Sequence, residues 1–419
     1  MKIAIVGTGI SGMVAAYLLH RDHELTVFEA ADYIGGHTNT IDVQMNGRTY
    51  AVDTGFIVFN DWTYPNFIAL LKKLGVESQA SDMSFSVKCE QTGLEYNGTS
   101  MNTLFAQRQN LLRPSFYRMI RDILRFNREA LDLLDEPEPG PSLGSYLTAK
   151  SYSREFIEQY IVPMGAAIWS ADQATMHEFP ARYLVKFFKN HGMLSVNERP
   201  TWRVIKGGSQ RYMERLIAPF RDRIQQSAPV ESVVRHSDSV EIRLTQEGVG
   251  RTMRFDHVII AAHSDQALSM LADPSPTERE ILGAIPYHDN EAVLHTDASL
   301  LPRRKLAWAA WNYHLLPNQP DRAVVTYHMN RLQGLTASHE FCVTLNHTQA
   351  IDPRKIIRRI TYHHPVYSPA AVAAQKRHSE ISGVNRTSYC GAYWGFGFHE
   401  DGVKSALAVC RPFGKDLSS

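Results

Sequence analysis

The sequence predicts a mixed α/β (α+β) fold in which a parallel-sheet lobe is interrupted by a second lobe of helices and antiparallel sheet, and three observations carry that prediction. The chain opens on an apolar strand that runs through a glycine turn into a helix, MKIAIVGTGISGMVAAYLLH. An uninterrupted apolar run, HVIIAA at 257–262, has the composition of a central parallel strand buried on both faces. Between and after these the hydrophobic period becomes helical from about Met101 to Gly192 and alternating from about Pro286 to Ser388. At 419 residues the chain is longer than one hydrophobic core sustains, so two lobes are expected.

Lys2 to Val6 forms the first strand, and Gly7, Gly9 and Gly12 lead into the helical pattern Met13 to His20. In such a turn Gly7 lets the chain reverse, Gly9 lets backbone approach a pyrophosphate, and Gly12 lets helix pack on strand. Ile10 and Ser11 complete the turn, whose free N–H groups and helix dipole favour a phosphate. The second strand, Glu24 to Phe28, ends at Glu29 and Ala30, and the Glu29 carboxylate lies 17 residues after Gly12, where a ribose-binding acid is expected. Strand, glycine turn, helix and acid together read as a Rossmann-type dinucleotide site. NAD and FAD share it, so the opening does not choose between them.

Gly35-Gly36-His37-Thr38 forms a second glycine turn, and Arg48 to Asn60 (RTYAVDTGFIVFN) is expected to fold as a hairpin bent at Asp53-Thr54-Gly55, just before Phe56. The helical region is broken by Glu136-Pro137-Glu138-Pro139-Gly140-Pro141. Strands are expected at Trp202 to Ile205, Val230 to Arg235, Val240 to Leu244 and Arg254 to Ala262, then at Glu291 to His295, Ala323 to Met329 and Glu340 to Asn346. Tyr389 to Phe413 ends in a helix. The organisation this implies is a nucleotide-binding lobe in three pieces, 1–75, 201–285 and 389–419, with a mostly helical substrate lobe at 76–200 and an antiparallel-sheet substrate lobe at 286–388.

Composition narrows the function. With 44 basic and 43 acidic residues the net charge is +1, which offers no global field for nucleic acid. Cys89, Cys342, Cys390 and Cys410 are scattered without a zinc spacing, and a start that is already a strand leaves no room for a signal peptide, so a cytoplasmic setting is expected. No apolar run approaches the roughly 20 residues that cross a bilayer. The stretch Arg113 to Glu136 carries Phe116, Met119, Ile120, Ile123, Leu124, Ala130, Leu131 and Leu134 close to one helical stripe, beside Arg113, Arg118, Arg121, Arg125 and Arg128. Such a helix suits peripheral contact with an anionic membrane, and equally a helix of the inserted lobe with a solvated arginine face. His363 and His364 are adjacent in a strand and point to opposite faces, so no metal site is expected.

These stretches resemble the flavin-containing amine oxidase superfamily. Gly7, Gly9, Gly12 and Glu29 fit its FAD fingerprint and Gly35-Gly36 its following double glycine. Residues 205–210 (IKGGSQ), 229–233 (PVESV), 257–271 (HVIIAAHSDQALSML) and 389–406 (from YCGAYWG to DGVKSA) resemble its later motifs in the same order. The resemblance implies FAD, held by Gly7, Gly9, Ile10, Ser11 and Gly12, by Glu29 and Ala30, and by Gly35, Gly36, His37 and Thr38. It extends the site to Thr54, Gly55 and Phe56, to Val230 and Ala261, and to Gly391, Trp394, Asp401, Gly402 and Val403.

Two departures stand out. Many members carry an arginine where this chain has His37, and the amine-oxidising branches carry a lysine near flavin N5 that Tyr287 to Val293 lacks, which counts against amine oxidation. His399-Glu400-Asp401-Gly402 precedes a helix whose N–H groups would face the flavin's N1 and C2 carbonyl, and His399 is the candidate proton shuttle. Cys390, beside Gly391, reads as a small buried thiol. No second glycine fingerprint follows Gly12, so electrons are expected from the substrate. Phe56, Phe59, Trp62, Trp169, Tyr393, Trp394, Phe396 and Phe398 suit either a dry aromatic tunnel or ordinary core.

The stretches VDTGFIVFN and YCGAYWGFGFHEDG resemble a subgroup commonly encoded beside cyclopropane-fatty-acid-synthase-like methyltransferases. That implies an FAD-dependent oxidoreductase taking a hydride from an unsaturated or methylated fatty acyl chain, with a lipid methyltransferase as partner. Three alternatives stay open: a flavin amine oxidase, a redox-neutral fatty-acid double-bond isomerase, and a non-catalytic flavin-bound partner of the methyltransferase.

Overall fold

Five short strands rich in Val, Ile and Leu make the sheet that carries the glycine turns. In the computed structural model, which describes residues 1–246, 248–317 and 322–418, they lie in the order Ile224–Gln225, Glu24–Phe28, Lys2–Val6, His257–Ile260, Thr387–Tyr389, and every pairing is parallel. Lys2–Val6 is central, and Ile3, Ala4 and Ile5 are fully buried between two apolar layers. One layer holds helix Ile10–Leu19, the other the three-stranded sheet Val230–Arg235, Val240–Gln246, Val249–Phe255 and helices Ser264–Met270 and Pro276–Gly283. The strand at 257–260 is thus a central parallel strand, as its composition predicts.

The hairpin expected across Asp53-Thr54-Gly55 does not form. Arg48–Asp53 pairs instead with Thr40–Met45, turning at Asn46 (φ 52°) and Gly47 (φ 74°). Two successive positive φ values make the type I′ geometry whose twist matches that of the strands it joins, and Asn-Gly supplies them at least strain. Val58–Asn60 pairs with Trp202–Ile205, so Asp53 to Gly55 is a crossing between two sheets.

The second lobe is built on a seven-stranded sheet in the order Ile356–Pro365, Tyr287–His295, Cys342–Leu345, Val325–His328, Trp311–Leu315, Phe85–Cys89, Glu95–Asn97. It is antiparallel except where Phe85–Cys89 runs parallel to Trp311–Leu315. The predicted strand after Ala323 ends at His328, and Met329–Leu332 is a helical turn. The helices between Met101 and Asn190 cover this sheet, sharing a core with Val87, Tyr313, Leu315 and Val325. Helix Pro114–Glu129 buries Phe116, Met119 and Phe126 in that core, so most of its predicted apolar stripe is interior. Helices Pro369–Gln375 and His378–Ile381 pack back on the parallel-sheet lobe. Among the described residues no helix is long and apolar enough to cross a membrane, and no cluster of His, Cys, Asp or Glu could hold a metal ion.

Candidate functional site

The chain leaves the first strand at Val6 and reverses at Gly7, whose φ of 103° is left-handed space that favours glycine. A Cβ at Gly7 would come within 2.7 Å of the Ala261 carbonyl oxygen, and one at Gly12 would overlap the Gly7 carbonyl. Gly9 differs, because a Cβ there would meet nothing within 4 Å. Gly7 and Gly12 therefore serve the fold, while Gly9 borders open space. Helix Ile10–Leu19 starts at Gly9 with no side-chain cap and no acid in its first turn, which leaves its leading N–H groups to an anion. The second glycine turn lies against the first, since a Cβ on Gly36 would sit 3.3 Å from the Gly9 Cα.

Glu29 stands at the mouth of this turn. Its carboxylate accepts from the Thr8 N–H and the Ala31 N–H, both at 2.9 Å, and from the Thr8 hydroxyl. The Ala228 N–H donates to the Glu29 carbonyl at 2.8 Å, which brings the start of the Val230–Arg235 strand beside the acid. Ala30 is exposed there.

A second helix, His399–Cys410, starts where the first does. A Cβ at Gly402 would meet Ile10 Cγ2 at 2.6 Å and Ser11 Oγ at 3.0 Å, so the opening turns of the two helices touch. Asp401 caps this helix and braces the loop before it, accepting from the Phe396 N–H at 3.0 Å and the Phe398 N–H at 3.2 Å. Burial pushes its carboxyl up to about 6 against those hydrogen bonds. Glu400 is turned away onto another helix start, taking the Phe67 N–H at 2.9 Å. Val403 is fully buried, and the Gly391 N–H donates to Ser405 Oγ at 3.0 Å.

Thr54, Gly55 and Phe56 close around His37. The Phe56 N–H donates to the His37 carbonyl at 2.6 Å, and Gly55 presses on that carbonyl too tightly for a side chain. Asp53, fully buried, accepts from the Ser209 N–H and hydroxyl at 2.8 Å and from the Gln333 amide at 2.9 Å, tying the second lobe to the IKGGSQ turn. Burial pushes the Asp53 carboxyl up to about 6.

His399, the candidate proton shuttle, is buried. Its ring stacks on Phe56 with centroids 3.4 Å apart, and Nε2 lies 2.9 Å from the Tyr212 hydroxyl and 3.1 Å from Thr38 Oγ1. Burial, with His37 adding, holds its pKa well below the ordinary value. These contacts hold the ring against Thr38 and Phe56.

The predicted aromatic set also divides. Phe56 and Phe59 belong to the core of the parallel-sheet lobe, Trp62 is on the surface, and Tyr393 packs with Trp394. Trp169, Phe396 and Phe398 form one wall with Phe179, Tyr183 and Phe187: Tyr183 and Phe396 centroids are 4.5 Å apart, and Phe187 and Phe398 5.2 Å. This wall meets the flavin motif directly, because the Tyr183 hydroxyl donates to the Gly395 carbonyl at 2.7 Å. Trp394 turns its ring on His378 at 4.5 Å and leaves a buried Nε1 without a partner.

The sequence reading missed a histidine seam where the lobes meet. His37 stacks on Tyr362 at 4.8 Å and lies 5.3 Å from His364, while His263 stacks on Tyr287 at 4.3 Å and lies 5.7 Å from His363. Burial pushes His37 and His364 down to about 3 and His263 to about 4, and the neighbouring histidines add to each shift. The tautomer of His364 follows from the backbone. Asn346 takes the Glu291 N–H on Oδ1 and gives Nδ2 to the Ala323 carbonyl and Asn290 Oδ1, so Asn290 Nδ2 donates to His364 Nδ1 at 3.0 Å. His364 therefore carries its proton on Nε2. With His288, Trp169, Phe179 and Tyr367 it lines a small cavity of about 10 Å³ beside the aromatic wall. His37 Nε2 is buried with no hydrogen-bond partner.

These features fit FAD. An uncapped helix start at Gly9 borders open space and touches the start of a second helix, an acid stands at the end of the second strand, and a buried ring nitrogen lacks a partner next to the double glycine. The residues expected to line it are Glu29, Ala30 and Val230, Gly7 to Gly12, Gly35 to His37 and Ala261, and Thr38, Thr54 to Phe56 and Gly391 to Val403. Fold and site together define a two-lobed flavin-dependent oxidoreductase.

The sequence profile of the flavin-containing amine oxidoreductases matches residues 10–295, and the chain belongs to that family. Its cofactor is FAD. Among solved structures it is similar to cyclohexylamine oxidase from Brevibacterium oxydans IH-35A, at 16% identity over 99% of both chains with a TM-score of 0.71. It is also similar to putrescine oxidase bound to putrescine, at 14% identity over 99% of both chains with a TM-score of 0.70, and to the CLA-producing fatty acid isomerase from P. acnes, at 16% over 98% of both with 0.67. No curated protein matches the sequence.

Proposed function

We propose that the enzyme takes a hydride from an apolar substrate, an unsaturated or methylated fatty acyl chain. One observation carries this reading: strands Tyr287–His295 and Ile356–Pro365 bring tyrosines and histidines to the lobe seam and carry no lysine, beside a wall of Trp169, Phe187, Phe396 and Phe398. Bound FAD supplies the two-electron acceptor. The chain's own groups do the rest. The leading N–H groups at Ile10 to Gly12 and His37 Nε2 would hold its diphosphate, and Glu29 would orient its ribose. The start of helix His399–Cys410 would favour negative charge placed beside it. The aromatic wall excludes water from the carbon that gives up hydride. His364 offers an Nε2–H donor, and its only lone pair is already taken by Asn290, so it provides no base for a protonated amine.

The test is product analysis. FAD-loaded protein incubated in air with phospholipids bearing unsaturated or methylated acyl chains is expected to return chains that have lost two hydrogens. Chains of unchanged mass with a moved double bond would replace oxidation by isomerisation, and unchanged chains with oxidised amines in a parallel reaction would overturn the acyl reading.

A further inference from the structure

Six of the twelve exposed large apolar side chains among the described residues fall between Met101 and Leu131. Leu112 is 87% exposed, Met101 71% and Leu124 54%. Helix Pro114–Glu129 explains part of the clustering. Tyr117, Arg121, Leu124 and Arg128 recur at four- and three-residue intervals and so share one outward face, opposite the Phe116, Met119 and Phe126 face that enters the core. Leu111 and Leu112 extend this face at the N-terminal end, where the Tyr117 hydroxyl donates to the Leu111 carbonyl at 3.0 Å. The stripe read from the sequence therefore mixed two faces, and the second one has no cover in the fold.

Charge on this face is one-sided. The helix acids are used elsewhere: Asp122 is buried and accepts the Ser153 N–H at 2.8 Å, and Glu129 pairs with Arg125, which itself lies over the Tyr152 ring at 3.9 Å. Arg121 and Arg128 are 73% and 79% exposed and only 3.9 Å contacts link them to those acids. Arg113, next to Leu112, lines a surface cleft of about 600 Å³ whose acids, Glu155 and Glu158, are paired with Arg118 and Arg154. Exposed Asp132, Asp135 and Glu136 bound the basic region at its far end.

We propose that this face, Leu111, Leu112, Tyr117 and Leu124 with Arg113, Arg121 and Arg128, docks the enzyme on an anionic phospholipid bilayer. Leucines at the acyl boundary and arginines at the headgroups are the two contributions that hold a peripheral helix on such a surface. A second copy of the chain fits less well, because a two-fold pairing of this face would set arginines against arginines. The inference does not depend on the acyl-chain reading, since docking needs only the surface.

The test uses the full FAD-loaded chain with vesicles of phosphatidylcholine alone or mixed with phosphatidylglycerol. Sedimentation with the mixed vesicles, weakened by salt and absent with phosphatidylcholine alone, is expected. The paired substitutions Leu112→Glu with Leu124→Glu, or Arg121→Glu with Arg128→Glu, should each weaken binding on the order of tenfold or more while leaving the flavin spectrum intact. Failure of the wild type to bind, equal binding to both vesicles, or unchanged binding by the variants would overturn the proposal. So would a dimer that the leucine substitutions split without any vesicle binding, which would make the face a contact between copies.

Discussion

At the residue scale, the three glycines of the opening turn do different things, and substitution separates them. Gly12→Ala forces a Cβ into the Gly7 carbonyl and should prevent accumulation of folded protein, whereas Gly9→Ala meets no atom and keeps an ordinary φ of −62°. Gly9→Ala is therefore expected to fold with normal thermal stability and to lose at least roughly tenfold in FAD affinity, since its methyl points into the space beside the leading N–H groups. Fluorescence titration of the apoprotein with FAD measures both. Equal affinity in wild type and Gly9→Ala would remove the diphosphate from this turn.

Burial also sets a pH dependence. His37, His314 and His364 are pushed down to about 3, and His191, His257, His263 and His295 to about 4, by burial in every case. For such a group the unfolded chain binds the proton first. Stability is therefore complete above the unfolded value near 6.5 and declines as pH falls towards 4. Asp53 and Asp401, raised to about 6, act in the opposite direction between about 6 and their unfolded value of 3.8, but they are two against seven. Tm of the apoprotein should fall steadily from pH 6.5 to 4; a flat profile would mean that the histidines are hydrated and not sealed. Glycines and Glu29 were legible in the sequence because their work is local. The lowered pKa of His399 and the seam of His37, His263, His363 and His364 were not, because burial and the meeting of residues hundreds of positions apart leave no mark in a local window.

At the element scale, one buried ion pair holds three elements together. Arg235 on strand Val230–Arg235 pairs with Glu278 on helix Pro276–Gly283, through Nη2 at 2.9 Å and through Nη1, and the Tyr389 hydroxyl of the outer parallel strand donates to the same carboxylate at 2.6 Å. Burial alone would raise the Glu278 carboxyl, but the guanidinium and hydroxyl bring it down to about 2. Glu278→Ala removes the buried carboxylate and leaves the Arg235 guanidinium with only the half-exposed Asp273 carboxylate at 3.1 Å, and should cost up to about 3–5 kcal/mol. Chemical denaturation of the apoprotein measures this, and a loss below about 1 kcal/mol, the scale of an exposed pair, would contradict it. Most elements here were readable from hydrophobic period. The hairpin was misplaced because the alternation of RTYAVDTGFIVFN runs on through Asp53 although the backbone leaves the sheet there; Asn46-Gly47 between TIDVQM and RTYAVD was the signal that locates the turn.

At the scale of the whole molecule, the candidate flavin site lies where the two lobes meet. Asp53 reaches across to Gln333, Thr54 to Tyr362, and His37 to His364, so the cofactor's cradle and the strands that face it are held in one register. Which strands neighbour each other was beyond the sequence, since Phe85–Cys89 joins Trp311–Leu315 in parallel across more than two hundred residues. The proposed removal of a hydride from an acyl chain is tested most directly by anaerobic mixing of the FAD-loaded enzyme with unsaturated or methylated acyl phospholipids, and separately with primary amines, while following the flavin's visible absorbance. Bleaching by the acyl lipids and none by the amines is expected; bleaching by amines alone would overturn the acyl-chain function.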